Sequence, residues 1–254
     1  MDISPQIGYS RLTCMDTGSM HFIDISAFIW REKVMGTCMQ IDTKVLYFRD
    51  DEITEDAILS HRWIDDTEIN YEEMVGLANM EKREKGAIRG RAGYKKVLDT
   101  CRQAQKDEYE WVWADTCCID KRSSAELSEA INSMYRWYAN AKACYAYLHD
   151  VNNISFPTKK DDEEYPRSSG WPEWFSRGWT LQEMIAPSDV QFFNENWQLI
   201  GNNLDKDYWS PNVHTKRWSR CKSSMHCSNH VVGCQSDNNA SRGQSLLADG
   251  PVGC

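Results

Sequence analysis

Trp111-Val112-Trp113-Ala114-Asp115-Thr116-Cys117-Cys118-Ile119 decides the reading of this chain. An apolar run gives way to a polar end flanked by Asp115 and Asp120, as a buried strand leaving a sheet does. Ser123-x-x-Glu126 follows, a capping box that opens a helix. That helix places Leu127, Ile131, Met134, Tyr135 and Tyr138 on one face. Cys144-Tyr145-Ala146-Tyr147-Leu148 is the next strand, closed by His149-Asp150. Strand, helix, strand in alternation predicts βαβ units and a mainly parallel sheet, with right-handed crossovers. Working outward, Ala57-Ile58-Leu59 is an earlier strand with the exit Ser60-His61-Arg62-Trp63. Tyr71 to Lys85 is charged and helical, ending near Gly86, and Tyr94, Val97, Leu98, Cys101 and Ala104 form an amphipathic helix. Downstream, Asn152 to Gly170 is a long loop with a charge run, mobile or a lid. Val190-Gln191-Phe192-Phe193 is a fourth strand, and Trp197 to Gly201 closes the patterned region. The expected fold class is α/β, a mainly parallel, flavodoxin-like sheet with flanking helices.

Candidate chemistry sits where such a sheet binds ligands, beyond the carboxyl ends of its strands. Ser60, His61 and Arg62 fall there if residues 57–59 are a parallel strand. Arg62 suits a phosphate or carboxylate; equally, His61 and Arg62 can brace neighbouring loops. The run Trp174 to Pro187 holds Arg177-Gly178-Trp179-Thr180-Leu181-Gln182-Glu183. Pro172 suits a first helical turn and Pro187 cannot continue one, so one partly buried helix is expected between them. Glu183 lies one turn after Trp179. A carboxylate beside an aromatic wall has a shifted pKa and is a candidate reactive group. The competing reading makes Glu183 a solvated helix charge paired to Arg177.

Composition sets the boundaries. The chain has 254 residues, 41% of them apolar, room for one large domain or two small ones. Eleven Trp demand burial and partners for their indole N–H groups. A net charge of −9 argues against a general nucleic-acid or anionic-membrane binder. No apolar run is long enough for a membrane span. The start Met1-Asp2-Ile3-Ser4-Pro5 is unlike a secretory signal. Ten Cys without framework spacing read as reduced, buried thiols of a cytoplasmic protein. Cys221, His226, Cys227, His230 and Cys234 match no common zinc spacing, so no metal or prosthetic cofactor is expected. Residues 1–38 carry little pattern, although Phe22 to Trp30 fits a short helix or strand. Met39 to Phe48 alternates like a strand, and an acidic loop follows from Asp50 to Asp56. Past residue 203 the chain is rich in Ser, Asn and Gly and poor in apolar residues.

Three blocks in order resemble the fungal heterokaryon incompatibility (HET) domain: Ala57 to Trp63; Trp113 to Lys121, continuing through Glu126, Ile131, Met134 and Tyr138; and Arg177 to Glu183 with Ile185-Ala186-Pro187. The resemblance covers about Met39 to Gly201. It implies an effector of nonself recognition and programmed cell death after hyphal fusion, with an unidentified nonself-recognition partner. The family is also distantly similar to TIR domains, some of which cleave the nicotinamide–ribose bond of NAD with a glutamate in a W-x-x-x-E motif. Trp179 and Glu183 have that spacing. The resemblance therefore implies Glu183 as catalytic residue, with Ser60, His61, Arg62, Trp63, Asp115, Asp120, Arg177 and Trp179 as the substrate-binding set and NAD as a candidate substrate. Arg62 is the candidate for the pyrophosphate, and Trp179 or Trp63 for ring stacking. A non-enzymatic module acting by self-association or partner binding is the alternative; an inactive truncated copy is a third.

The resemblance also bears on the edges. It puts the HET domain at residues 39–202, with Met39 as natural start and residues 1–38 as an upstream extension. Residues 207–210 and 229–248 can be back-translated so that a shifted frame reads like the family's continuation. The expectation is a frame slip between Leu204 and Tyr208, leaving residues 203–254 an out-of-frame tail and the fold without its closing C-terminal elements.

Overall fold

The structure is a computed structural model that describes residues 19–34, 44–50, 56–77 and 82–203. Its frame is a seven-stranded sheet. The strands are β1 (Ser19–Asp24), β2 (Leu46–Asp50), β3 (Asp56–His61), β4 (Trp111–Ala114), β5 (Ala143–Tyr147), β6 (Val190–Phe193) and β7 (Leu199–Asn202), in the order β2-β1-β4-β3-β5-β6-β7. The four central strands β4-β3-β5-β6 are parallel. Antiparallel pairs flank them, β1 with β2 and β4 on one side and β6 with β7 on the other. The sheet is therefore α/β and mainly parallel at its centre, as expected, with antiparallel margins. The central strands read as continuous apolar runs because both faces are covered: every residue of β3 is buried.

Six α-helices are described: α1 (Ile25–Val34), α2 (Tyr71–Gly76), α3 (Lys82–Arg89), α4 (Ala92–Lys106), α5 (Ser124–Asn140) and α6 (Thr180–Ile185). α1 and α4 pack together on one face of the sheet, and α5 and α6 on the other. In chain order the four parallel strands run 2-1-3-4, so the order reverses between β3 and β5. Ligands of open α/β sheets bind at such a reversal. A cavity of about 410 Å³ lies there, lined among others by Ile64, Gly93, Lys96, Tyr147 and His149.

Several local expectations shift. Residues 19–34, on the N-terminal side of Met39, supply β1 and α1; β1 lies between β2 and β4, so the sheet takes in both sides of residue 39. The expected helix from Tyr71 to Lys85 is two helices. α2 carries the full capping box, Asn70 Oδ1 accepting from Glu73 N and Glu73 returning to Asn70 N. In α5, Ser123 caps Glu126 N, but the Glu126 carboxylate accepts from Asp120 N instead of Ser123 N. The buried face of α5 is also rotated from the expected one: Ala130, Ser133, Trp137 and Tyr138 turn inward while Ile131 and Tyr135 stay exposed. Trp113, fully buried on β4, packs edge-on against Trp137 and Tyr138 at 5.5 and 6.1 Å between ring centroids. Small residues at 130 and 133 let the helix come close enough for those contacts.

The loop from Asn152 to Gly170 is pinned rather than a free lid. Phe156 packs 4.9 Å from the Phe192 ring, Tyr165 is buried, and Gly170 closes the turn at φ +82 with its N–H on Tyr165 O. A left-handed φ is the conformation glycine tolerates best. No described helix is long and apolar enough to cross a membrane. The acidic segment 51–55, the cysteine–histidine cluster of residues 221–234 and the expected frame slip lie outside the described residues.

Candidate functional site

The run from Trp174 to Pro187 does not form one helix. A 3₁₀ turn spans Glu173–Ser176; Arg177 is extended at φ −77 and ψ 146, and α6 begins only after Trp179. The break has a consequence that a continuous helix would forbid. It folds Arg177 back over α6, so that Nη1 donates to Glu183 Oε2 at 2.8 Å and Nη2 to Oε1 at 3.0 Å. That is the two-pronged geometry in which guanidinium and carboxylate bind most strongly.

β3 supplies the third member. Strand residues alternate between faces, so Ser60 turns toward α6 and His61 toward α4. Ser60 Oγ donates to Glu183 Oε2 at 2.5 Å and accepts from Trp174 Nε1 at 2.7 Å. Ser60 and Trp174 are fully buried and Glu183 is 3% exposed. Thr180 Oγ1 donates to Trp174 O at 2.6 Å, which ties the turn to the start of α6. Burial pushes the Glu183 carboxyl above its ordinary value, opposed by the Arg177 charge and the Ser60 hydrogen bond. Burial pushes Arg177 down, but the Glu183 and Asp115 charges carry it above its ordinary value. The phenol of Tyr138 is driven well up, first by burial and then by the Glu183 charge.

A second cluster lies on the α4 side of β3. The fully buried His61 ring has no hydrogen-bond partner on either nitrogen. Its Nε2 is 3.6 Å from Glu68 Oε2 and 4.0 Å from Asp115 Oδ1. Burial, then the Lys96 charge, lowers its pKa. Lys96 Nζ donates to Glu68 Oε1 at 2.5 Å. Burial acts to raise the Glu68 carboxyl, but the His61 ring and the Lys96 ammonium bring it down to about 2. Asp115, at the end of β4, accepts from Trp63 Nε1 on both oxygens at 3.0 Å. The Lys121 ammonium sits 3.7 Å from the centre of the Trp63 ring, a cation–π contact on a ring 43% exposed.

The expected set therefore divides. Ser60, Arg177 and Glu183 meet directly, and His61, Trp63 and Asp115 form the adjoining group. Trp179 is one turn from Glu183, which donates its backbone N–H to Trp179 O at 3.2 Å, and the Trp179 ring is 43% exposed. Arg62 and Asp120 point elsewhere. Arg62 Nε binds Glu173 Oε2 at 2.6 Å, and Asp120 holds Arg122 at 2.8 Å. Glu183 is no solvated helix charge, because its partner Arg177 and its burial both take it out of water. Trp174, Glu68, Lys96, Lys121 and Tyr138 were not legible as site members. Glu68 and Lys96 carry no pattern that singles them out, and Trp174 reads as a packing anchor. The crossover from β3 to α4 brings in Glu68 and Lys96, the loop after β4 and helix α5 bring in Lys121 and Tyr138, and the turn before α6 brings in Trp174. Among the described residues no group of three or more His, Cys, Asp or Glu is placed to hold a metal ion.

The comparisons with known proteins concern the strands that carry Ser60, His61 and Asp115, and the family match stops short of Trp174, Arg177 and Glu183. A model of the family described as heterokaryon incompatibility protein (HET) matches residues 57–171, from β3 through the 152–170 loop. The vegetative incompatibility protein HET-E-1 of Podospora anserina is 43% identical over 157 residues, which cover 59% of this chain and 10% of that protein. The chain thus spans about a tenth of that relative's length. No solved structure matches. With β3, β4, α5 and β5 all inside the matched segment, the centre of the sheet is similar to the heterokaryon incompatibility (HET) family.

Proposed function

We propose that this chain is an effector of nonself recognition that triggers cell death, and that it does so by cleaving the nicotinamide–ribose bond of NAD at Glu183. The observation that carries the reading is the buried Glu183 carboxylate beyond the carboxyl end of a parallel strand, in a W-x-x-x-E pair with Trp179. Breaking that bond builds oxocarbenium character on the ribose while nicotinamide departs neutral, so no general acid is required. One carboxylate stabilises the developing charge and holds a ribose hydroxyl, and water then bonds to the ribose carbon and releases its proton to solvent.

The two oxygens are not equivalent in this role. Oε2 already takes two donors, Ser60 Oγ and Arg177 Nη1; Oε1 takes only Arg177 Nη2. A carboxylate has about four acceptor positions, two per oxygen, so Oε1 keeps one for the ribose. The Arg177 side chain, 14% exposed, covers Glu183 and has to swing aside for substrate to enter. The test is nicotinamide release from NAD by the full chain. Release that persists in folded Glu183→Gln overturns the catalytic role.

A second reading is favoured by one observation: the Arg177–Glu183 pair is closed and almost fully buried, as a structural brace would be. On it, the domain signals by self-association or partner binding. Death signalling by Glu183→Gln protein in the absence of NAD loss decides for this reading.

A further inference from the structure

Three groups surround the Glu183 carboxylate, and the chemistry of one fixes the protons of the others. Trp174 Nε1 can only donate. At 2.7 Å from Ser60 Oγ it therefore occupies an acceptor position of that hydroxyl. The hydroxyl has one proton, and its other short contact is Glu183 Oε2 at 2.5 Å, so that proton points at the carboxylate. Arg177 also only donates, through Nη1 and Nη2. All three side-chain hydrogen bonds to Glu183 thus run toward it; a protonated carboxyl would find an acceptor only in the remaining lone pair of Ser60 Oγ, and only if that hydroxyl turned its proton away from its one short acceptor. Trp174 is held in turn: its carbonyl accepts from Thr180 Oγ1 at 2.6 Å, and its ring lies edge-on to Phe175 and Phe192 at 4.9 and 5.7 Å.

We infer that Trp174 and Ser60 are positioning residues that form a one-way relay, Trp174 to Ser60 to Glu183, which holds Glu183 as the ionised acceptor and reserves Oε2 for the protein. The inference deepens the NAD reading and rests on it for the consequence in catalysis, though not for the relay itself. Removing the indole N–H releases the restraint on the Ser60 hydroxyl, which then turns more readily to accept from a protonated Glu183. Removing the hydroxyl deletes a donor outright. Both changes raise the pH at which Glu183 takes its proton. A hydrogen bond to a charged group corresponds to about one to two pH units, so Ser60→Ala is expected to shift Glu183 by about one unit and Trp174→Phe by about half of that.

The measurement is the carboxyl ¹³C shift of Glu183 against pH in the full chain labelled at glutamate, assigned by its loss in Glu183→Gln. Trp174 is fully buried, so Ser60→Ala serves where Trp174→Phe fails to fold, and Ser60→Thr restores the hydroxyl. The expected result is an upward shift in Ser60→Ala and Trp174→Phe and little or none in Ser60→Thr. An unchanged midpoint in folded Ser60→Ala overturns the relay, as does an equal shift in Ser60→Thr. In NAD cleavage the acid limb should move with the carboxyl and lower kcat more than it changes KM. If the carboxyl shifts as stated and no NAD is cleaved by the unaltered chain, the relay stands and the NAD reading falls.

Discussion

Glu183→Gln at neutral pH strands a guanidinium. Arg177 is mostly buried, its two-pronged partner is gone, and a guanidinium cannot neutralise itself by losing a proton. Breaking a buried pair from one side costs about 3–5 kcal/mol. For a domain of this size that is about 6–20 °C in Tm. Arg177→Met breaks the same pair from the other side, but there the orphan is a carboxylate, and it can escape by taking a proton. The two variants should therefore differ in their pH dependence. In Arg177→Met the folded carboxyl titrates above its unfolded value, because burial remains and the opposing charge has gone. Its stability is greatest below the unfolded glutamate pKa and is lost as pH rises through the folded one. The deficit of Arg177→Met thus shrinks on acidification toward pH 5, while that of Glu183→Gln does not. The assay is urea unfolding followed by Trp fluorescence from pH 5 to 8, with the double variant closing the cycle. A Glu183→Gln loss below about 1 kcal/mol, or two deficits with the same pH profile, refutes the claim of a desolvated pair; about 1 kcal/mol is what a solvent-exposed ion pair yields at most. The same data guard the NAD test, since loss of activity counts only in protein shown to be folded.

Three other outcomes are expected. Glu68 is held down to about 2 from an ordinary 4.5, so it stabilises the fold above its unfolded pKa and that stability is lost as pH falls from about 4.5 to 2. The contribution is about 3 kcal/mol, and acid titration of Glu68→Gln should lack that part of the fall. Gly93→Ala would place a Cβ 2.4 Å from Thr67 O and 2.6 Å from Glu68 Cα, both backbone, where the chain cannot yield cheaply. A loss of about 1–3 kcal/mol in chemical unfolding is expected, the range for an overpacked site. Cys101, Cys117, Cys118 and Cys144 are buried, and burial raises the thiols of Cys101, Cys118 and Cys144 well above their ordinary value. Peptide mapping after thiol labelling should find these four unlabelled in native protein and labelled in guanidinium.

Much of the architecture was legible because the signals are local. The apolar runs at 57–59, 111–114, 144–147 and 190–193 are strands because both of their faces are covered, and burial on both faces leaves the same apolar mark wherever a strand lies. The polar residues that end those runs mark the carboxyl ends of the parallel strands. α4 was legible from its stripe, which covers one face of the sheet; the α5 stripe was right at Tyr138 but took in the exposed Ile131 and Tyr135, because Trp113 on another strand decides which face packs. The helix from 174 to 187 was misread for a related reason: its apolar spacing is helical, but the Arg177–Glu183 pair is gained only if the backbone opens at Arg177.

By itself, the sequence determined the α/β class, the order along the chain of the central strands and helices, and the place of Ser60 at the end of a strand. Those features follow from periodicity and chain order, which act over a few residues. Tertiary structure alone decided that β1 joins the sheet beside β4, that Trp174 lies behind Ser60, and that Arg62 and Asp120 turn away from Glu183. It also set the Lys96–Glu68–His61 cluster on the opposite face of β3. Partners separated by 123 residues, as Ser60 and Glu183 are, leave no mark on one another's local sequence. Their meeting is fixed by the crossover of strands and by the cost of burying a charge without a partner.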